Sequence, residues 1–203
     1  MARSALGWFG RRASRGWIIA LAATLSAPFG VLALGAPPEK LAPCLTCHGA
    51  EGTSDNETVP SLGAQHESYT LIQLFMYREG MRVAEPMNEY TKPLSDDELR
   101  SVAGFLATLP PPKPAAGPVD PARLERGRAL AETHHCLACH RPDLSGQESV
   151  PRVADQREDY LVKTLHAFKT GARHGYEATM AEALQPVDDA ALADLAYFIS
   201  HAH

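Results

Sequence analysis

The sequence predicts an all-α protein built as two tandem, homologous lobes. Three observations lead there: a long internal repeat, apolar residues at helical spacing in both copies, and a proline-rich stretch between them. Cys44-Leu-Thr-Cys47-His48 recurs 92 positions later as Cys136-Leu-Ala-Cys139-His140. Val59-Pro60-Ser-Leu-Gly-Ala-Gln65 recurs as Val150-Pro151-Arg-Val-Ala-Asp-Gln156. The repeat continues through Glu67/Glu158, Tyr69/Tyr160, Leu74/Leu165, Gly80/Gly171 and Arg82/Arg173. Between the copies, residues 110–121 hold six prolines in 12 positions, which excludes helix and leaves a stiff, extended linker.

Each element has a local reason. In 67–79, Tyr69, Ile72, Phe75 and Met76 share one helical face, and Gly80 suits a left-handed stop. Ser95-Asp-Asp-Glu98 is a capping box that opens a helix running to about Leu109. The second copy predicts helices over about 157–170, stopped by Gly171, and about 188–201, capped by Asp188. A further helix over about 121–134 precedes the second cysteine pair, and no alternating strand appears. Lobes of this size have small cores and need an added staple.

The first 36 residues stand apart. Arg3, Arg11, Arg12 and Arg15 precede an uncharged run from Gly16 to Ala36. This reads as a cleaved secretory signal or as a retained anchor, the run just reaching the about 20 residues that an anchor needs. In both cases the body is exported to the periplasm, soluble or held at the inner membrane. The organisation is therefore 1–36 signal peptide or membrane anchor, 37–109 first lobe, 110–121 linker and 122–203 second lobe.

Composition narrows the function. With 45% hydrophobic and 21% charged residues, the chain is neither disordered nor a multi-span membrane protein. Residues 37–203 carry 15 basic and 24 acidic side chains, a balance of −9 that argues against nucleic acid and for partners with basic docking surfaces. Residues 37–111 hold 5 basic and 11 acidic groups (−6), and 112–203 hold 10 and 13 (−3), so the lobes present different fields.

Cys-x-x-Cys-His is the pattern of covalent haem attachment. Cysteines three apart on one turn each form a thioether with a haem vinyl group, and the adjacent histidine sits beneath the iron. Two copies at equivalent places, in a chain with four cysteines in all, predict two covalently bound haem c groups on Cys44, Cys47, His48 and on Cys136, Cys139, His140. A four-cysteine zinc site wants its pairs about 15–20 residues apart. A thioredoxin-like pair wants a βαβ context, and two local disulfides leave the histidines unexplained.

For the sixth position of each iron, the repeat pairs Met87 with Met180: they lie 39 and 40 residues after His48 and His140. Met81 is the alternative in the first lobe and His174 in the second, while Met76 falls on an apolar helix stripe. His/Met coordination leaves no open site and predicts electron transfer without catalysis on a bound substrate. The pairs Gln65/Gln156, Tyr69/Tyr160 and Arg82/Arg173 have two readings, bonds to haem propionates or plain helix surface. His66, His134, His135, His166, His201 and His203 lack repeat partners of their own type and read as ordinary histidines, at the surface or supporting the groups around the haem.

At these residues the sequence resembles a known family. Cys44-x-x-Cys47-His48-Gly49-x-x-Gly52, Pro60-Ser-Leu-x-x-Gln65-x-x-x-Tyr69, then Met87 before Leu94-Ser-Asp-x-x-Leu99, is similar to dihaem cytochrome c4, over about 40–203. The resemblance implies two class I cytochrome c domains about a pseudo-twofold axis, with propionate edges facing. It implies a periplasmic carrier between a quinol-oxidising complex and a terminal oxidase. Related dihaem chains serve as cytochrome subunits of dehydrogenases, flavocytochrome sulfide dehydrogenase among them. A haem peroxidase is a third class, and it requires an open or releasable iron. Two positions depart from the pattern: Arg141 stands where lobe one has Gly49, and the helix-crossing glycine of lobe two, Gly127, has its counterpart at Gly35 inside the leader.

Overall fold

The computed structural model describes residues 38–173 and 178–202. The leader read at 1–36, with His174 and His203, lies outside them. Among the described residues there is no strand, only one isolated bridge between Gln147 and Val150, and no helix long and apolar enough to cross a membrane.

Lobe one opens on a 3₁₀ turn, Glu39–Leu41, that runs into α1 (Ala42–His48). It continues with α2 (Glu67–Arg78), α3 (Met87–Thr91) and α4 (Asp96–Thr108). Lobe two holds α5 (Pro121–Thr133), α6 (Cys136–His140), α7 (Glu158–Lys169), α8 (Thr179–Leu184) and α9 (Asp189–Ser200). The caps are those the residue types dictate. Ser95 Oγ accepts from Glu98 N while Glu98 Oε2 accepts from Ser95 N, closing the capping box. Asp120 and Asp188 accept from the first-turn amides of α5 and α9. Gly80 and Gly171 end α2 and α7 at φ 69° and 74°, where a side chain would be strained.

Each lobe has its own core. In lobe one, Leu74, Leu99, Val102 and Leu106 bury the facing sides of α2 and α4, and Leu41 and Leu94 join the same cluster. In lobe two, Leu161, Leu165, Leu192, Leu195 and Ile199 do the same for α7 and α9. The extended linker docks on the end of α9: Ala115 N donates to Ser200 O and Asp120 N to the Tyr197 hydroxyl.

In lobe two, α5 crosses α9 at a contact that depends on one missing side chain. A Cβ at Gly127 would lie 2.2 Å from the Asp194 carbonyl oxygen and 2.5 Å from Phe198 Cβ. Backbone cannot yield as a flexible side chain can, so Gly127→Ala forces the helices apart. The expected loss is about 3 kcal/mol, lowering the thermal midpoint of lobe two by roughly 10 °C or more. Circular dichroism melting checks this, and an unchanged midpoint contradicts the close crossing.

Candidate haem sites and the seam between them

Both Cys-x-x-Cys-His segments form a single helical turn or two, in α1 and α6. The geometry places the histidine as the last helical residue, under the turn that carries the cysteines. None of the four cysteines is in a disulfide. Burial pushes the Cys44 and Cys136 thiols above their ordinary value, the opposite of an activated redox cysteine. Among the described residues no three His, Cys, Asp or Glu side chains gather as a metal site.

Each histidine is oriented by the proline that follows it. His48 Nδ1 lies 2.8 Å from Pro60 O, and His140 Nδ1 lies 3.0 Å from Pro151 O. A carbonyl only accepts, so Nδ1 carries the hydrogen and Nε2 keeps its lone pair for a metal. His48 is 4% exposed. Burial pushes both imidazoles below their ordinary value, outweighing the carbonyl bond, and keeps them neutral. In lobe one Ser54 adds a brace, its Oγ donating to Cys47 O and its amide to Ser61 Oγ.

The methionines separate by position. Met87 packs on the same core that Cys44 borders, and Met180 on the core that Cys136 borders. Met76 is buried on α2, and Met81 is 58% exposed. Asn88, which sequence reasoning passed over, organises the loop before Met87. Its Oδ1 accepts from Ala84 N, and its Nδ2 donates to Tyr77 O and Arg82 O.

The departure at Arg141 has a structural consequence. Gly49 ends α1 at φ 84°, ψ 147°, and Arg141 ends α6 at φ 70°, ψ 160°. The duplicate retains a backbone conformation nearly confined to glycine while losing the glycine, so lobe two stores strain beside His140.

The repeated polar residues build the seam between the lobes. Gln156 Oε1 accepts from Ser61 N and its Nε2 donates to Ser61 O, at 2.9 and 2.8 Å. Gln65 does the same with Arg152 N and O, at 2.9 and 2.8 Å. The two amides therefore act across the seam on main chain, an arrangement that neither sequence reading contained. His66 Nε2 meets Ser145 O at 2.9 Å, and Arg157 Nη1 donates to Ser54 O at 3.1 Å. His66 is thus a pseudo-twofold mate of Arg157, not an ordinary surface histidine.

Arginine and tyrosine complete the seam crosswise. Arg173 Nη2 donates to the Tyr69 hydroxyl at 3.1 Å, and Arg82 Nη2 lies 3.5 Å from that of Tyr160. Burial drives the Tyr77 phenol up to about 12. Burial pushes Tyr160 up too, but the Arg173 and Arg82 guanidiniums outweigh it and bring that phenol below its ordinary value. The Arg173 Nε is buried with no hydrogen-bond partner. An unmatched guanidinium at the seam fits a group that brings carboxylates, as haem does.

Paired histidines with free Nε2, cysteines one turn away and a methionine on each core define a two-lobed c-type cytochrome. Comparison with known proteins agrees. The family profile described as cytochrome c matches residues 40–110 and 124–203. Cytochrome c4 of Thiocapsa roseopersicina is 31% identical over 140 residues, 64% of this chain and 71% of that one. The thiosulfate dehydrogenase electron acceptor of Thiomonas intermedia (strain K12) is 33% identical over 149 residues, 69% of this chain and 68% of that one. The structure of reduced recombinant cytochrome c4 from Pseudomonas stutzeri superposes with a TM-score of 0.73 at 27% identity, covering 81% of this chain and 95% of that one. The chain belongs to the cytochrome c family, and within it to the dihaem, electron-transferring cytochromes c4. It carries two covalently bound haem c groups, one per lobe.

Proposed function

We propose that this cytochrome is an electron carrier of the periplasm, taking electrons from a quinol-oxidising complex and passing them to a terminal oxidase. Each iron is held between histidine and methionine, His48 with Met87 and His140 with Met180. The observation that carries the reading is the matched pair of sites, each with an imidazole held by a proline carbonyl and a methionine packed on the apolar core that the first attachment cysteine borders. When bound, haem supplies a one-electron couple. The protein's residues hold the imidazole tautomer, exclude water and supply the thioether, which favours ferrous iron. The basic, apolar leader supports export, as a cleaved signal or a retained anchor. The acidic body suits basic docking surfaces on partners, with no part for nucleic acid.

The test uses membranes from a strain lacking the gene. Purified holoprotein is expected to restore quinol-dependent oxygen uptake, with a rate that falls as salt rises. Uptake unchanged by the protein overturns the respiratory reading. A second reading, an electron-accepting subunit of a periplasmic dehydrogenase, is favoured by the similarity to a thiosulfate dehydrogenase electron acceptor. Isolation of the chain in stable complex with a dehydrogenase, reduced by that enzyme's substrate, decides for it.

A further inference from the structure

Most of the polar side chains at the seam are spent on main chain, but two arginines are not. Arg82 lies over the Tyr77 ring, its Cζ 4.5 Å from the centroid, and Arg173 lies over Phe168 at the same 4.5 Å. Both turn their forks inward onto one acceptor, Gln73 Oε1, which takes Arg82 Nη1 at 2.6 Å and Arg173 Nη2 at 3.4 Å. The remaining contacts are the two tyrosine hydroxyls, each on the opposite lobe.

No carboxylate of a described residue belongs to this group. Among the described residues, Arg78, Arg100, Arg123, Arg126, Arg128, Arg152 and Arg157 are all in ion pairs. Arg141 is exposed, and Arg82 and Arg173 are part-buried without an ion pair to any described residue. Two like charges sharing one neutral oxygen in a low-dielectric seam repel each other unless an anion joins them. The orphaned Nε of Arg173 shows that the fork is not saturated by protein. The group is also lopsided. Gln73 aligns with Thr164 in the repeat, so both guanidiniums lean on a side chain of lobe one.

We propose that Arg82, Arg173 and Gln73, with the Tyr69 and Tyr160 hydroxyls, form one carboxylate site shared by the two haem groups, through which Arg173 sets the potential of the lobe-one haem as well as that of its own. The inference rests on the two-haem assignment and not on the choice of sixth ligand. The physical effect has a fixed sign. Oxidation adds a positive charge to a haem, so a neighbouring guanidinium opposes it and favours the ferrous form. Removing the guanidinium shifts both couples toward the ferric form. Arg82 and Arg173 are positioning residues here, acting on the couples by charge and by orienting carboxylates.

The experiment is a redox titration of the holoprotein followed through its haem methyl resonances, assigned to lobes by their contacts with neighbouring side chains. Arg173→Gln is expected to lower the ferrous-to-ferric ratio at fixed ambient potential about tenfold at both haems, which is about 59 mV for a one-electron couple. Arg173→Lys keeps the charge and loses the fork, and is expected to restore most of that shift. Gln65→Ala with Gln156→Ala removes the amide clamps without touching charge, and is expected to move neither couple more than about twofold. A shift at the lobe-two haem alone, or at neither haem, overturns the shared site. So does an equal shift in the amide variant, which would make lobe docking the cause. Failure of the holoprotein to support respiration would overturn the carrier reading while leaving these potentials to decide the seam independently.

Discussion

Replacing Cys44 and Cys47 together by serine is expected to halve the haem content, from two groups per chain to one, and to unfold lobe one. Without a thiol on either position no thioether forms, and His48 alone binds haem weakly and reversibly. The structural cost follows from the size of the core. Lobe one rests on α2 packed against α4, with only a 3₁₀ turn and the seven-residue α1 leading into it among the described residues. Binding energy that exists only in the folded lobe is folding energy, so losing the group removes that support outright. Cys136→Ser with Cys139→Ser removes the other haem but is expected to leave more structure. There α5 crosses α9 at Gly127, and Arg123 of α5 bridges Glu158 of α7 and Asp194 of α9. Haem absorbance per chain and far-UV circular dichroism measure both effects. Lobe one retaining its full helical signal without haem would show that its core suffices alone.

The difference between the lobes was only partly legible in the sequence. Helices α2, α4, α5, α7 and α9 were readable to within one or two residues, because each spans three turns with a periodic apolar face and a chemical stop or cap. Helices α3 and α8, of five and six residues, were not, since one turn carries no period. The attachment residues were legible because thioether chemistry demands one spacing. The repeat also flagged Gln65, Gln156, Arg82 and Arg173 as a set. It did not show that they act across the lobes, because facing is a property of the assembled fold. His66 escaped for a related reason. Its mate is Arg157, a different residue donating to the equivalent serine carbonyl, so matching by identity passed over it. Asn88 has Ala181 at its repeat position, and its three main-chain bonds hold the loop that leads into Met87 in lobe one.

Met180→Ala is expected to open the second iron while leaving its haem attached, because Cys136, Cys139 and His140 are untouched. Met180 packs at the edge of the lobe-two core, and truncation removes the thioether along with some packing. The potential of that haem is expected to fall, since the soft sulfur no longer favours ferrous iron. The variant is expected to gain carbon monoxide binding at one site per chain, from none in the unmodified protein. Met87→Ala is expected to do the same at the first haem, and the double variant to bind two ligands per chain. The controls follow from burial. Met81 is exposed, so Met81→Ala is expected to change little, whereas Met76→Ala is expected to cost about 2 kcal/mol or more in stability and to open no iron. Absorbance titration with carbon monoxide reads the five variants and the unmodified protein. If the unmodified protein already takes up carbon monoxide stoichiometrically at either haem, the six-coordinate carrier is wrong for that lobe. An open iron able to meet peroxide would reopen the haem peroxidase reading for that lobe, and peroxide turnover by the unmodified protein would decide it.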